Sequence, residues 1–464
     1  MSQENTTSKQ PLIRYVNRQQ MSWRAVDVDK LIAEDHRARA IWTLVGRLNL
    51  TAFYRAIESS TEEGGRPAFD PRLLISLWVY ADSQGIGSAR ELARRCAYDP
   101  AFQWLTGWEE VNYHTLADFR VEKQQELDEL FTQVLAALSQ EGLITLEQVM
   151  QDGTKIKAQA SSPKAKQAQV RARRQQQERL ESALEELQKW QARKSGEKAK
   201  KETRVSTSDP HARAMHQPDG GLALSYNAQI STDATQGLIV GVAVTQEPND
   251  SGQLLPAVDR LEQRLEKKPQ QMVADSGYTT RENIEKMVGR EIDFLGTMRY
   301  ENVPRGANLP NRFPPSAFPY LPEKDHCVCP QGKVLHPAGQ RKRRAGVIYH
   351  LYEARLEDCQ ACPRKPECCP DNQKRGRSVA HPEESPVVIA FRKKMASEEA
   401  RKQYRRRGRI VEFCHAWIKS KLGLRQFHVR GLKNVQMEML WACLTYNLQH
   451  WIRLSKLRTT TAIT

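Results

Sequence analysis

The sequence predicts an α/β protein built on a mixed sheet, with an all-helical N-terminal region and a cysteine-rich insertion. Three observations carry this expectation. A short apolar segment ending in Asp and followed by Gly occurs twice, in Leu146–Lys157 and in Gln270–Tyr278. A continuous apolar run, Gly237–Val244, has the character of a central strand buried on both faces. From Val26 to about Leu138, by contrast, apolar residues recur at helical spacing with little strand character.

Residues 1 to about 20 read as a polar tail. In the helical region, Val28, Leu31 and Ile32 begin the pattern, and Trp42, Leu44, Val45 and Leu48 continue it. Gly65-Arg66-Pro67-Ala68-Phe69-Asp70-Pro71 stops one helix and starts another, whose apolar face is Leu73, Leu74, Leu77, Trp78 and Tyr80. Ser88 with Glu91 three residues later forms a capping-box pattern. A further helix is expected from Pro100 to Leu105, and His114–Arg120 follows. Short helices broken by such turns suit a helix-turn-helix-like DNA-binding module; a generic helical bundle is the plainer alternative.

Beyond the helices, Val149 and Met150 fill a short strand that is expected to end at Asp152 and turn at Gly153. Lys155–Arg204 is dense in Lys, Arg, Gln, Glu and Ala, with Leu180, Leu184, Leu187 and Trp190 as a thin apolar line, and reads as a long basic helix or helical hairpin inserted between strands. Leu224–Ser231 alternates as a half-buried strand does. Ser251–Glu266 is helical, the strand before Asp275 follows, Thr280 caps a helix, and Ile292–Gly296 supplies another strand. From about Arg299 to Ala396 the chain is rich in Pro and Cys; it then rejoins a helix in which Val411, His415, Ile418 and Leu422 fall at helical spacing around Glu412.

Six of the nine cysteines lie in that insertion: Cys327, Cys329, Cys359, Cys362, Cys368 and Cys369. The two residues between Cys359 and Cys362 are knuckle spacing for zinc, and Cys329 and Cys368 complete the favoured four-thiolate set. Four thiolates leave no open coordination position, so such a zinc is structural. Cys96, Cys414 and Cys443 stand alone on helical patterns and read as core packing.

Asp152, Asp275 and Glu412, on three separate elements, are the candidate catalytic residues: three acids of this kind can hold two divalent ions for in-line attack at a phosphate. Lys and Arg number 71 against 55 Asp and Glu, for a formal charge of +16, which favours a polyanionic partner. No apolar run approaches the roughly 20 residues that span a bilayer, and the Met1–Lys9 stretch lacks the apolar core of a signal peptide. A reducing cytosol is the expected setting.

With Asp152-Gly153-Thr154-Lys155, Ser225-Tyr226-Asn227-Ala228-Gln229, Ala274-Asp275-Ser276-Gly277-Tyr278, the Gly65–Arg120 block, the cysteine groups and Arg430-Gly431 in view, the chain resembles a bacterial insertion-sequence transposase of the DDE type, nearest the IS-eleven-eighty-two group of the IS-four-like superfamily. The resemblance implies a ribonuclease-H-like core, two Mg²⁺ or Mn²⁺ ions on Asp152, Asp275 and Glu412, and cleavage and strand transfer of DNA. It also implies a Tyr, Arg, Glu, Lys signature matched by Tyr404, Arg407, Glu412 and Lys419, as DNA-contacting residues around the acid; Arg407 to Glu412 is one residue longer than the usual pattern.

The expected organisation is a DNA-binding helical domain over 1–140, the first part of the catalytic core over 141–300 with a basic helical insertion at 158–220, the cysteine-rich zinc-ribbon-like insertion over 301–398, and the C-terminal helices of the core over 399–456. The expected partners are the double-stranded DNA of transposon ends and target, bound by a dimer or higher assembly in the nucleoid, with no membrane. Competing readings are a metal-dependent nuclease on the same fold and a non-catalytic DNA-binding regulator.

Overall fold

The computed structural model describes residues 19, 21, 25–57, 67–160, 173–193, 205–298, 313, 317–342, 348–369, 374–383 and 385–461. The polar tail, the Gly65-Arg66 turn and most of the flanks of the basic segment lie outside these residues.

Among the described residues, a 3-10 turn at Val28–Leu31 is followed by seven α-helices: α1 (Arg37–Val45), α2 (Thr51–Arg55), α3 (Pro71–Ser83), α4 (Ala89–Tyr98), α5 (Pro100–Thr106), α6 (Tyr113–Glu122) and α7 (Gln124–Gln140). Their starts follow local chemistry. Asp70, Ser88, Asp99 and Asn112 each accept a backbone N–H of the first turn, and Pro71 and Pro100 occupy first-turn positions where no N–H is needed. Helix α3 is buried along almost its whole length, so it is the centre of this region rather than a surface element.

The principal sheet contains β1 (Gln148–Lys157), β2 (Arg213–His216), β3 (Leu222–Asp233), β4 (Ile239–Thr245), β5 (Gln271–Ala274) and β6 (Asp293–Leu295). Its path is β2-β3-β1-β5-β6, with β4 also on β3; β1/β3, β3/β4 and β2/β3 are antiparallel, while β1/β5 and β5/β6 are parallel. Helix α9 (Leu254–Leu265) leads from β4 into β5, and α10 (Arg281–Gly289), capped by Thr280, joins the parallel strands β5 and β6.

Helix α8 (Arg173–Ala192) lies between β1 and β2. Later come a five-stranded antiparallel sheet with the short helices α11 (Leu356–Gln360) and α12 (Lys365–Cys368), then α13 (Pro386–Ala396), α14 (Glu398–Ala416), a π-helical turn at Trp417–Lys421 and α15 (Leu432–Thr461). Helix α15 packs on β4 and on α3, so helices and sheet share one hydrophobic core. It also closes the outer edge of β4: Asn447 accepts from the Ile239 N–H at 2.9 Å and donates to the Ile239 carbonyl at 2.7 Å, and Gln436 accepts from the Val244 N–H at 2.6 Å.

Three expectations change. Strand β1 does not end at Asp152; it runs on to Lys157 because the long strand β3 pairs with it throughout, while β5 stops opposite Gln151. Strand β3 is not half-buried: from Ser225 onward both faces are covered, and its alternation puts Tyr226, Ala228 and Ile230 in the hydrophobic core and Asn227, Gln229 and Ser231 in a buried polar network. The leucine line of α8 is its packing face only in part: Leu187 and Trp190 are half-buried, with the Arg213 guanidinium over the Trp190 ring. Leu180 and Leu184 are exposed, whereas Ala183 and Glu186 are buried, and Glu186 pairs with Arg213 on β2. The cysteine-rich insertion holds regular structure, with β7 (Tyr320–Leu321), β8 (His326–Val328), β9 (Val334–Lys342), β10 (Ile348–Ala354) and β11 (Ser378–Pro382) around a small core of Phe318, Cys327, Leu335, Tyr352, Ala354 and Val379.

Candidate active site

Asp152 follows Gln151, the last β1 residue paired with β5; its partner there is Ala274, and Asp275 follows Ala274. The two aspartates therefore leave adjacent parallel strands side by side, with β3 holding β1 straight beyond them. Each is oriented by its own turn: Asp152 Oδ1 accepts the Gly153 N–H at 2.9 Å and Asp275 Oδ1 accepts the Gly277 N–H at 2.7 Å. Burial pushes the Asp152 carboxyl up to about 6; Arg407 opposes this, and the charges of Asp275 and Asp250 add to it.

Helix α14 crosses these strands. Ala400, Tyr404 and Val411 pack onto Met150, Val273 and Leu295. Arg407, one turn before Val411, donates from Nη1 to Asp152 Oδ2 at 3.1 Å. Two turns on, His415 Nδ1 lies 4.0 Å from the same oxygen. Burial, with Lys419 and Arg407 nearby, pushes this imidazole down to about 4, so it is neutral at pH 7.

The four signature residues differ in placement. Tyr404 shares a hydrogen bond of 3.0 Å with Thr297 and lies beneath the Arg407 guanidinium. Lys419 falls in the π-helical turn, where burial first and then Arg425 and Lys155 lower its pKa. Glu412 projects from the exposed side of α14. One turn before it, Gly408 presents no side chain against the carboxylate, which leaves room for it to turn across the helix. Among the described residues, no group of three or more His, Cys, Asp or Glu is arranged to hold a metal ion. The geometry thus gathers Asp152, Asp275, Arg407 and His415, and leaves Glu412 on the rim.

A polar network that composition and spacing did not reveal runs beside the aspartates. Ser231 donates to Gln151 at 2.6 Å, and Gln151 donates to Gln229 at 3.0 Å. Gln229 and Asn227 donate to Asp250 Oδ1 at 2.8 and 2.7 Å, and the Tyr278 hydroxyl donates to Gln229. The available signal was the polar content of Ser225–Gln229 within a buried strand.

Two adjacent carboxylates where the β1/β5 pairing ends, one of them largely buried and reluctant to ionise, fit a hard divalent cation bound through oxygen. The cysteines fit zinc in part. Cys329 Sγ accepts from the N–H groups of Gln331 and Lys333, and Cys359 Sγ from that of Arg377, each at 3.3 Å; such donors favour thiolates. Burial raises Cys359 and pushes Cys368 up to about 11, and Cys369 adds to both. Cys369 thus stands among the expected ligands, while Cys327 is buried in the small core.

Residues 328–452 match the family model described as Transposase DDE domain, and residues 26–122 match the one described as Transposase domain (DUF772). The two matches, over separate parts of the chain, are both to transposase domains. They indicate an insertion-sequence DDE transposase of the IS-four and IS-eleven-eighty-two type. The first match includes Tyr404, Arg407, Glu412, Lys419 and the candidate zinc cysteines; Asp152 and Asp275 lie outside both.

No curated protein matches the chain. Solved structures similar to it include a piggyBac transposase synaptic complex with hairpin DNA, at 11% identity and TM-score 0.34 over 92% of this chain and 75% of that one. Others are a Mos1 transposase paired-end complex with left transposon end, at 10% and 0.17 over 58% and 80%, and a pre-cleavage Mos1 transpososome, at 10% and 0.17 over 80% and 85%. Likenesses this weak do not define the fold, which stands on the strand order above. Among the described residues no helix is long and apolar enough to cross a membrane.

Proposed function

We propose that this transposase binds the terminal inverted repeats of its insertion sequence and carries out divalent-metal-dependent cleavage and strand transfer of DNA on a ribonuclease-H-like core. The carrying observation is the adjacency of Asp152 and Asp275 at the end of the parallel β1/β5 pair, in a sheet ordered β4-β3-β1-β5-β6 and crossed by α14. A carboxylate pair on rigid strands, within a chain of charge +16, suits phosphodiester chemistry.

In this reading Asp152 and Asp275 hold the Mg²⁺ or Mn²⁺ ions, and Glu412 completes the set by turning inward across Gly408. When bound, the ions supply the Lewis acidity that activates water or a 3′-hydroxyl and offsets charge on the leaving oxygen. Arg407 shields the Asp152 charge and is placed to transfer its donors to a phosphate. Lys419 contributes a second positive charge, and Tyr404 offers a ring to a displaced base. His415, neutral and buried, fills the space beside Asp152 without adding charge. Cys359, Cys362 and Cys368, with Cys329 or Cys369, hold a structural zinc.

The domain limits proposed are 1–140 for DNA binding, 141–300 and 399–456 for the core and 301–398 for the insertion. The protein acts on duplex DNA of the nucleoid, as a dimer or larger assembly on paired ends.

The test is incubation with duplex carrying the repeats that flank its gene, with Mg²⁺ or with chelator. Metal-dependent cutting at the ends followed by joining to target DNA is expected. Cutting without joining supports the nuclease reading, and binding without cutting the regulator reading.

A further inference from the structure

Lys155 lies on β1 three residues beyond Asp152, mostly buried, with its ammonium 3.5 Å from Asp250 Oδ1. At that distance the contact is an ion pair rather than a close hydrogen bond. Asp250 comes from the loop between β4 and α9, and nothing in its local sequence marks it. Its position is nevertheless tightly determined. Oδ1 accepts from Asn227 Nδ2 at 2.7 Å and Gln229 Nε2 at 2.8 Å, and the Gln229 amide is itself oriented by Gln151 and Tyr278.

The carboxylate stands directly on Gly153. A Cβ at Gly153 would come 2.6 Å from Asp250 Oδ1, 2.6 Å from Gln229 Nε2 and 3.0 Å from Asn227 Oδ1. The glycine beside Asp152 is therefore the residue that lets Asp250 reach the backbone of the aspartate pair. The charges of Asp250, Asp152 and Asp275 all act on the Lys155 ammonium, and Lys155 in turn acts on Lys419. A compact, strongly hydrated cation is seldom buried to this extent without a partner of opposite charge.

We propose that Lys155 holds the scissile phosphodiester in the cleavage site and that Asp250, with Asn227 and Gln229, is its positioning residue. In the DNA-free protein the ammonium is paired with Asp250 and lies in the field of Asp152 and Asp275. When a strand enters, the same ammonium meets non-bridging phosphate oxygens, from the side of the sheet opposite α14, while Arg407 and Lys419 approach from α14 and its π-helical continuation. Lysine suits the task because it is a point charge with three rotatable donors on a flexible stem, and here the stem is anchored in a strand. This inference rests on the functional reading above.

The experiment uses the full-length protein with Lys155→Met, Lys155→Arg, Asp250→Asn and the Lys155→Met/Asp250→Asn pair. Mn²⁺ binding is measured without DNA, and single-turnover cleavage on duplex carrying the flanking repeats. Lys155→Met is expected to bind Mn²⁺ at least as tightly as wild type, because a competing cation has been removed, yet to cleave on the order of a hundredfold more slowly. Lys155→Arg restores most of the rate. Asp250→Asn slows cleavage comparably, and the double variant is little worse than either single one, as for residues that act as a unit.

The proposal is overturned if Lys155→Met cleaves within about twofold of wild type, or if the two single losses multiply in the double variant. Loss of Mn²⁺ binding in Lys155→Met with no recovery in Lys155→Arg overturns it too, since that marks a structural lysine. If wild type binds no Mn²⁺ and cuts no DNA, the functional reading itself falls, and this inference with it.

Discussion

Arg407 Nη1 sits 3.1 Å from Asp152 Oδ2 across 255 positions of sequence. The pair joins helix α14 to the end of the β1/β5 pairing, and it places a guanidinium on an oxygen proposed to hold divalent ions. In the proposed reading, arginine and ion would compete for one carboxylate, and an ion held by Asp152 would leave the arginine free for a DNA phosphate. Asp152→Asn, Asp275→Asn or Glu412→Gln should each abolish cleavage while leaving binding of the ends largely intact. Asp152→Asn should bind DNA at least as well as wild type, because Arg407 loses its anionic partner. Cleavage assays beside fluorescence anisotropy check this; near wild-type cutting by any one variant removes that residue from the role.

Gly153→Ala should destabilise the protein by about 1–3 kcal/mol, since the added methyl meets a carboxylate and two amides that are already fixed by hydrogen bonds. Thermal melting measures this. An unchanged melting temperature would mean that Asp250 moves aside freely, which would also weaken its positioning role.

Asp82 on α3 is buried beside Arg120 and Glu438, and burial pushes its carboxyl up to about 6; Arg120 opposes this and Glu438 adds to it. A raised carboxyl binds more protons in the folded than in the unfolded state. Its contribution is therefore fully favourable below about 4 and is lost as pH rises through about 6, by at most about 3 kcal/mol. Asp82→Asn should gain stability relative to wild type across that interval. Denaturation of both proteins between pH 4 and 7 gives the difference curve, and a flat curve would contradict the assignment.

Purified under reducing conditions without chelator, the protein should carry about one zinc per chain. Cys359→Ser should remove it. Comparing Cys368→Ser with Cys369→Ser identifies which of these neighbours binds, because only loss of a true ligand lowers the zinc content. Zinc-free wild-type protein would end this reading.

Binding of the ends should fall steeply with salt: six phosphate contacts imply roughly a thousandfold loss between 50 and 200 mM. Removing residues 1–140 to locate sequence preference is unsuited to this fold, since α3 and α7 share their core with α15 and truncation would expose it. Arg90→Ala and Arg94→Ala on α4 are the appropriate test. They should lower discrimination between the repeats and random duplex, with melting temperature unchanged; equal discrimination would place recognition elsewhere.

Local chemistry was legible in the sequence by itself. The caps at Ser88 and Thr280, the two strands that carry Asp152 and Asp275, and the helix that carries Glu412 all follow from patterns within a dozen residues; the apolar run Gly237–Val244 marks a buried strand too, but β4 lies at the sheet edge, paired with β3 and covered by α15, not at its centre. The transposase resemblance was legible for the same reason, because its motifs are short and contiguous. Tertiary structure decided the rest. That β1 continues past Asp152 depends on β3, some 80 residues later. That α8 turns Ala183 and Glu186 inward instead of Leu180 and Leu184 depends on what lies beside it, including Arg213. The meeting of Arg407 with Asp152, and of Asp250 with Lys155 over Gly153, depends on how α14 and the β4–α9 loop cross the strands. Periodicity reports what a residue's neighbours in the chain require, whereas charge pairing and close packing act between surfaces whose contact exists only once the sheet has formed.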